Sequence, residues 1–141
     1  MPFWTTDIGG FWERYPVGNK NKAYREVFIR WYQFGSFYPV FRVHGSNTPR
    51  EIWFFGDKND VAYKTQLKFN KLRYRLMPYT YTLNGIVNHH DYTIMRALVM
   101  DCTKDKNTWN IKDQFMFGPS ILVNPVTGPV ATDRQVYLPE S

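Results

Sequence analysis

Three side chains of complementary chemistry stand at the ends of two strand-like runs. Asp7 follows Phe3-Trp4-Thr5-Thr6, a run of strand formers that breaks at Gly9-Gly10. Arg42 and His44 close Val40-Phe41-Arg42-Val43-His44, an alternating run that stops at Gly45. One carboxylate, one guanidinium and one imidazole offer acceptors and directed donors together, which suits a set that grips hydroxyl groups. The same three groups equally suit a buried structural network, so residue types alone leave both readings open.

Other chemistry-bearing residues form weaker patterns. In His89-His90-Asp91 adjacent side chains would rarely meet at one ion, and the helical HExxH spacing is absent, so this run predicts a loop before a strand. Ser120, in Gly118-Pro119-Ser120-Ile121-Leu122, does not match the G-x-S-x-G elbow. Cys102 has no His nearby in the chain and is expected to be a small core residue. Gly9-Gly10 lacks the Lys-Ser/Thr of a phosphate-binding loop. No two acidic residues stand out as an acid/base couple. No metal site and no cofactor is read from the sequence.

Composition narrows the class. The chain has 141 residues with 43% hydrophobic and 21% charged, close to globular averages. A single cysteine excludes an internal disulfide and cysteine-rich zinc modules. No apolar run approaches the roughly 20 residues of a membrane span, and Met1-Pro2-Phe3-Trp4 does not begin a signal peptide. No compartment follows. A formal net charge of +6, with basic and aromatic residues interleaved in Lys71-Leu72-Arg73-Tyr74-Arg75, raises nucleic-acid binding. The basic residues are spread along the chain, so a solvated helix face is the expected role and nucleic acid is not the expected partner.

The elements that must position these residues follow from periodicity. Pro16, Gly18, Asn19 and Asn21 mark a turn-rich stretch. A helix is predicted from Ala23 to about Phe37, its buried face at Val27, Phe28, Trp31, Phe34 and Tyr38, ended by Pro39. A second helix runs from an N-cap at Asp60 to Leu83, with Leu67, Leu72, Leu76 and Leu83 near one side, a kink at Pro78 and a stop at Asn84-Gly85. Tyr92 to Met100 reads as a strand, as do Phe115-Met116-Phe117, Ile121-Leu122-Val123 and Val136-Tyr137-Leu138. Two strand–helix units and a further strand imply an α/β fold with a parallel sheet. The pattern turns all-strand near Lys112. Three parallel strands with two helices cannot close by themselves, so the chain reads as a slice of a larger α/β protein.

Six blocks in order carry a resemblance. Trp4-Thr5-Thr6-Asp7-Ile8-Gly9-Gly10-Phe11 resembles the DIGGF block of glycoside hydrolase family 31. Arg30-Trp31-Tyr32-Gln33-Phe34-Gly35-Ser36-Phe37-Tyr38-Pro39 is similar to its RW-Q-G-F-P helix, and Phe41-Arg42-Val43-His44 to its R-x-H strand end. Arg73-Tyr74-Arg75-Leu76-Met77-Pro78-Tyr79 resembles its RYRLMPY helix, and Met95-Arg96-Ala97-Leu98 and Asp113-Gln114-Phe115-Met116-Phe117-Gly118 continue the order. The resemblance implies the last strand–helix units of a partial (β/α)8 TIM barrel over 1–111, running into the start of a β-sandwich over 112–141. It implies a retaining α-glycosidase acting on α-linked xylosides or glucosides. His44 would then hydrogen-bond sugar hydroxyls, with Asp7 beside it as ligand or orienting partner. Arg42 would support the pocket wall, Phe11 would line its apolar side, and Trp4 would be a further wall residue. The run His44-Gly45-Ser46-Asn47-Thr48-Pro49-Arg50-Glu51-Ile52-Trp53 looks more like bacterial α-xylosidases than α-glucosidases.

One departure from the family pattern bears on activity. Retention needs a nucleophile and an acid/base about 5–5.5 Å apart. In this family both lie in blocks that precede DIGGF, and neither block is present. Gly56-Asp57-Lys58-Asn59 is superficially similar to the acid/base block but follows His44, so Asp57 is expected to be a loop acid. The resemblance therefore implies a fragment that contributes sugar-binding residues, has the remainder of the parent enzyme as partner, and is inactive alone. The rival expectation is a non-catalytic truncated paralogue that binds carbohydrate or a partner through exposed aromatics.

Overall fold

The computed structural model describes residues 2–12 and 18–140. The turn expected at Pro16 lies outside them. Among the described residues four helices and three short strands follow one another: α1 (Lys22–Gly35), α2 (Val61–Arg75), α3 (Met77–His90), β1 (Met95–Ala97), α4 (Leu98–Asp101), β2 (Phe115–Phe117) and β3 (Ile121–Val123). Single 3-10 turns occupy Gly18–Lys20, Ile52–Phe55 and Lys106–Asn110.

The two runs expected as strands, 3–6 and 40–44, are extended but form no continuous ladder. They run side by side and parallel. Val40 N–H donates to Trp4 O (3.3 Å), Ile8 N–H to Arg42 O (3.4 Å) and Ser46 N–H to Phe11 O (2.8 Å). An isolated parallel bridge joins Trp12 and Ser46. Two long bonds over this stretch are too few for a regular ladder, and parallel pairs depend on neighbours on both sides.

α1 starts where Asn21 caps it, its Oδ1 accepting from Ala23 N–H (3.0 Å) and Tyr24 N–H (3.1 Å). Its buried face is Tyr24, Phe28, Tyr32 and Gly35, one notch round from the face the periodicity suggests. Val27 is 42% exposed. The helix is apolar on two sides, and of the residues the spacing chose Phe28 and the following Tyr38 are buried while Val27 is not. Phe28 is fully buried and stacks on Phe55 at 4.2 Å between centroids. Ile8, Tyr32, Ala62 and Phe41 complete this core.

The long second helix is two helices. α2 begins at the expected Asp60 cap, whose Oδ1 accepts from Ala62 N–H at 2.7 Å. The break falls at Leu76, ahead of Pro78, because proline is tolerated in the first turn of a helix and not in its interior. α3 then runs through Asn84 and Gly85 to His90 and ends at Asp91, which takes a left-handed conformation (φ 50°). The stop expected at Asn84-Gly85 is therefore absent, and His89 and His90 are exposed on the last helical turn instead of in a loop. The stripe of leucines is also displaced. α2 buries Ala62 and Gln66, while Leu67 is 36% exposed.

The second half holds an antiparallel sheet in the order β1-β2-β3, with Met95 opposite Phe117 and Phe117 opposite Ile121. Only 95–97 of the strand expected over 92–100 is in the ladder; α4 takes up 98–100, and 92–94 are irregular. Residues 136–138, expected as a strand, pair with no strand among the described residues. The Gln114 side chain stands in for a strand there, accepting from Tyr137 N–H and donating to Tyr137 O, both at 2.8 Å. Leu83, Ile94, Phe117 and Val123 form this region's core. Cys102 is half-buried at the end of α4 and belongs to neither core.

Candidate functional site

Alternation along the two extended runs sorts their side chains. Ile8 is buried against α1, and Thr6 Oγ1 accepts from Trp31 Nε1 at 2.8 Å. Phe41 packs edge-on against Tyr32, with centroids 4.9 Å apart, and Val43 joins the same core. The intervening residues Asp7, Arg42 and His44 therefore point to the other side of the pair. There the Arg42 guanidinium forms an ion pair with Asp7. The His44 ring meets Phe11 at 5.4 Å, and Phe11 meets Trp12 at 5.7 Å. Arg42 and His44 are exposed and Asp7 is half-buried, so the network is open to solvent on this surface.

Trp4 stands apart from that cluster. Its side chain is 51% exposed, and its position in the alternation matches Thr6 and Ile8 instead of Asp7. Its tie to the second run is through its carbonyl, which takes Val40 N–H.

The turn after Asp7 is held by backbone. Gly10 N–H donates to Asp7 O at 2.7 Å, and Gly9 has φ +87°. A Cβ on Gly9 would sit 2.5 Å from Phe28 and 2.8 Å from the Tyr24 hydroxyl, so the turn can lie on α1 only with glycine here.

His44 also borders a cavity of about 510 Å³ between the loop 45–53 and α2, shared with Tyr32, Arg50, Trp53, Gln66 and Asn70. Burial pushes the Tyr32 hydroxyl up to about 12, against a smaller opposing effect of its bond with Asn70, so it stays a neutral donor at ordinary pH. Gln66 is fully buried and its Oε1 has no partner among the described residues.

Two arginines, Arg50 buried and Arg73 half-buried, were not legible as site supports. Arg73 of α2 donates to Ser36 O (3.2 Å), to Tyr38 O (2.5 Å) and to Pro39 O (2.7 Å), fixing the entry into the second extended run. Burial pulls its guanidinium below the usual arginine range. The basic run 71–75 is thus only partly a solvated face. Arg50 is 8% exposed and bonds Gly10, Ser46 and Thr48 carbonyls. The signal for Arg73 was its spacing from Ala62, Gln66 and Phe69 on one helical face.

The remaining acids and nucleophiles lie elsewhere. Asp57 is in an exposed turn, where its Oδ1 accepts from Asn59 N–H at 2.7 Å. Ser120 is exposed, with its N–H on the Tyr79 hydroxyl at 3.2 Å. Among the described residues no three His, Cys, Asp or Glu side chains gather as metal ligands, and no helix is long and apolar enough to cross a membrane.

Comparison with known proteins places this geometry. Residues 1–83 match the family model for the glycosyl hydrolases family 31 TIM-barrel domain, and residues 91–141 match that for the glycosyl hydrolase family 31 C-terminal domain. The chain belongs to glycoside hydrolase family 31. It is 45% identical over 139 residues to an alpha-xylosidase of Saccharolobus solfataricus, covering 99% of this chain and 18% of that protein. It is 36% identical over 143 residues to human neutral alpha-glucosidase C, covering 100% of this chain and 14% of that protein. Among solved structures, a family 31 alpha-xylosidase from Xanthomonas citri superposes with a TM-score of 0.92 at 44% identity, over 98% of this chain and 16% of that one. A family 31 alpha-xylosidase from a soil metagenome, complexed with xylose, gives 0.85 at 35% identity over 99% and 23%. The chain thus spans less than a fifth of the length of these two curated relatives. The family model for the C-terminal domain begins before β1, and β1 pairs with β2 in one sheet.

Proposed function

We propose that this chain supplies part of the sugar-binding subsite of a retaining α-glycosidase whose nucleophile and acid/base lie in a different stretch of the enzyme. The observation that carries this is the placement of Asp7, Arg42 and His44 on one side of two adjacent parallel runs, in a member of family 31. His44 offers a ring nitrogen to a sugar hydroxyl. The Asp7 carboxylate has acceptor capacity beyond its bond with Arg42. Arg42 holds that carboxylate in place, and Phe11 supplies an apolar wall next to the imidazole. Trp4 would line the pocket only from its margin.

The substrate class follows from two supports. The loop after His44 has the xylosidase-like Gly45-Ser46-Asn47-Thr48-Pro49-Arg50-Glu51 run. Identity to the archaeal alpha-xylosidase, 45%, exceeds that to the human alpha-glucosidase, 36%. An α-xyloside is accordingly the preferred substrate and an α-glucoside the next. In architecture, residues up to α3 would be the closing part of the barrel, and the antiparallel sheet the opening of the β-sandwich. The junction would lie between α3 and β1, earlier than the pattern change near Lys112.

The test is His44→Ala in a complete enzyme containing this chain, assayed on p-nitrophenyl α-xyloside. Loss of a hydrogen bond to a substrate hydroxyl should lower kcat/KM by about 1–3 kcal/mol. A value within about twofold of wild type would remove His44 from the subsite. The isolated 141-residue chain should show no turnover.

A further inference from the structure

Arg50 connects the two halves of the cluster without belonging to it. Its Nη2 donates to Gly10 O at 2.7 Å, in the turn that follows Asp7. Its Nη1 donates to Ser46 O at 3.2 Å and Thr48 O at 3.3 Å, in the loop that follows His44. The side chain is 8% exposed, so these bonds are made largely away from water. Gly45 makes the slot: a Cβ there would overlap the guanidinium carbon. Directly beside the slot, Ser46 N–H donates to Phe11 O at 2.8 Å and Trp12 bridges to Ser46. The upstream backbone contacts between the two runs are long, at 3.3 and 3.4 Å, and the Arg42–Asp7 ion pair is the side-chain tie there. Backbone contact between the runs is therefore tightest at this end, where Arg50 adds its bonds.

We propose that Arg50 is a positioning residue for the sugar subsite: it fastens the turn after Asp7 to the loop after His44, so that the carboxylate and the imidazole meet one sugar at a fixed separation. This rests on the sugar-binding role proposed for His44 and Asp7. The chemistry requires arginine. Three carbonyls on two segments need donors that diverge from a planar fork, whereas a lysine ammonium is a single point on a flexible stem. Without the fork the two segments keep their own folds but lose their common register, and the cost falls on contacts that need both segments at once.

The test combines kinetics with hydrogen exchange in the complete enzyme. Arg50→Lys and Arg50→Ala are made in the wild-type and His44→Ala backgrounds, with p-nitrophenyl α-xyloside as the probe. The expected loss in kcat/KM for Arg50→Ala is about tenfold in the wild-type background and about twofold or less when His44 is already gone, because residues acting through one another are non-additive. Added guanidinium ion should recover part of the activity of Arg50→Ala and none of that of His44→Ala. Equal losses in both backgrounds, or full activity in Arg50→Lys, overturn the proposal. If Arg50→Ala does not fold, Arg50→Lys carries the same comparison. Peptides covering 8–12 and 44–48 should exchange amide hydrogen faster in Arg50→Lys while those of β1–β3 do not. Unchanged exchange there defeats the fastening itself, whatever the substrate. A silent His44→Ala with faster exchange instead defeats the sugar reading on which the proposal depends.

Discussion

The first half of the molecule and the sheet that follows it are held together in different ways. Around β1, β2 and β3 the backbone does the positioning, with residues paired in register from Met95–Phe117 to Phe117–Ile121. Around Asp7 and His44 the extended runs share few backbone bonds, and side chains carry the task instead. Trp31 reaches Thr6, Arg73 gathers three carbonyls and Arg42 takes Asp7. A ladder specifies distance but offers little choice of side-chain aim. Side-chain ties leave the strand ends free to present polar groups, which a binding surface needs.

The largest test of this contrast removes an aromatic from each core. Phe28→Ala and Phe117→Ala each empty a fully buried site, and each should cost about 3–5 kcal/mol. Hydrogen exchange in the complete protein should show the first loosening 8–12 and 22–35, and the second loosening 94–97 and 115–123. If either change loosens both sets equally, the two halves act as one cooperative unit and the contrast fails. Arg73→Met comes next. It keeps the apolar stem and abandons three carbonyls, for a loss of about 2 kcal/mol confined to 36–43. A change in the exchange of β1–β3 of the same size would contradict it.

Asp60→Ala is smaller, about 1 kcal/mol, from loss of the α2 cap. The Ala62 N–H holds the Asp60 carboxyl below its ordinary 3.8, against some opposing desolvation, and Arg25 at 2.7 Å adds to the effect. A depressed carboxylate contributes its full stability above its unfolded value and loses it as pH falls through the folded one. The gap between wild type and Asp60→Ala, followed by thermal unfolding, should therefore be constant from about pH 5 upward and close below 3.8. The smallest change goes the other way. Gly85 lies inside α3 with nothing within 4 Å of the point where a methyl would sit, so Gly85→Ala should stabilise by about 0.5–1 kcal/mol. A destabilising result would mean that α3 does not continue past Asn84.

Much of the cluster was legible because it depends on local facts. A strand-forming run, a glycine break and a polar residue between them place Asp7 and His44 without knowledge of their neighbours. The helix registers were not, for a physical reason. α1 is apolar on two sides, and only the tertiary arrangement decides that Tyr24, Phe28 and Tyr32 turn inward while Val27 and Trp31 border the segment 125–129. α2 buries Gln66 and part of Arg73, polar residues that a hydrophobic pattern assigns to solvent. The Asn84-Gly85 stop was misjudged because glycine and asparagine terminate a helix only where the chain must turn, and here Asp91 makes that turn. Arg50 needed the fold itself, since its partners at Gly10 and Ser46 come together only when the two runs lie side by side.

The bend between β2 and β3 closes around one phenol. Tyr79 donates to Phe117 O at 3.0 Å and accepts from Ser120 N–H at 3.2 Å, while Gly118, at φ +64°, leaves space where a methyl would collide with that hydroxyl. A helix thereby acts as the peg on which the hairpin hangs. The apolar core seats the sheet on α3, and one oxygen pins its bend, so phenylalanine at position 79 would keep the ring against Phe117 while removing both bonds at the turn.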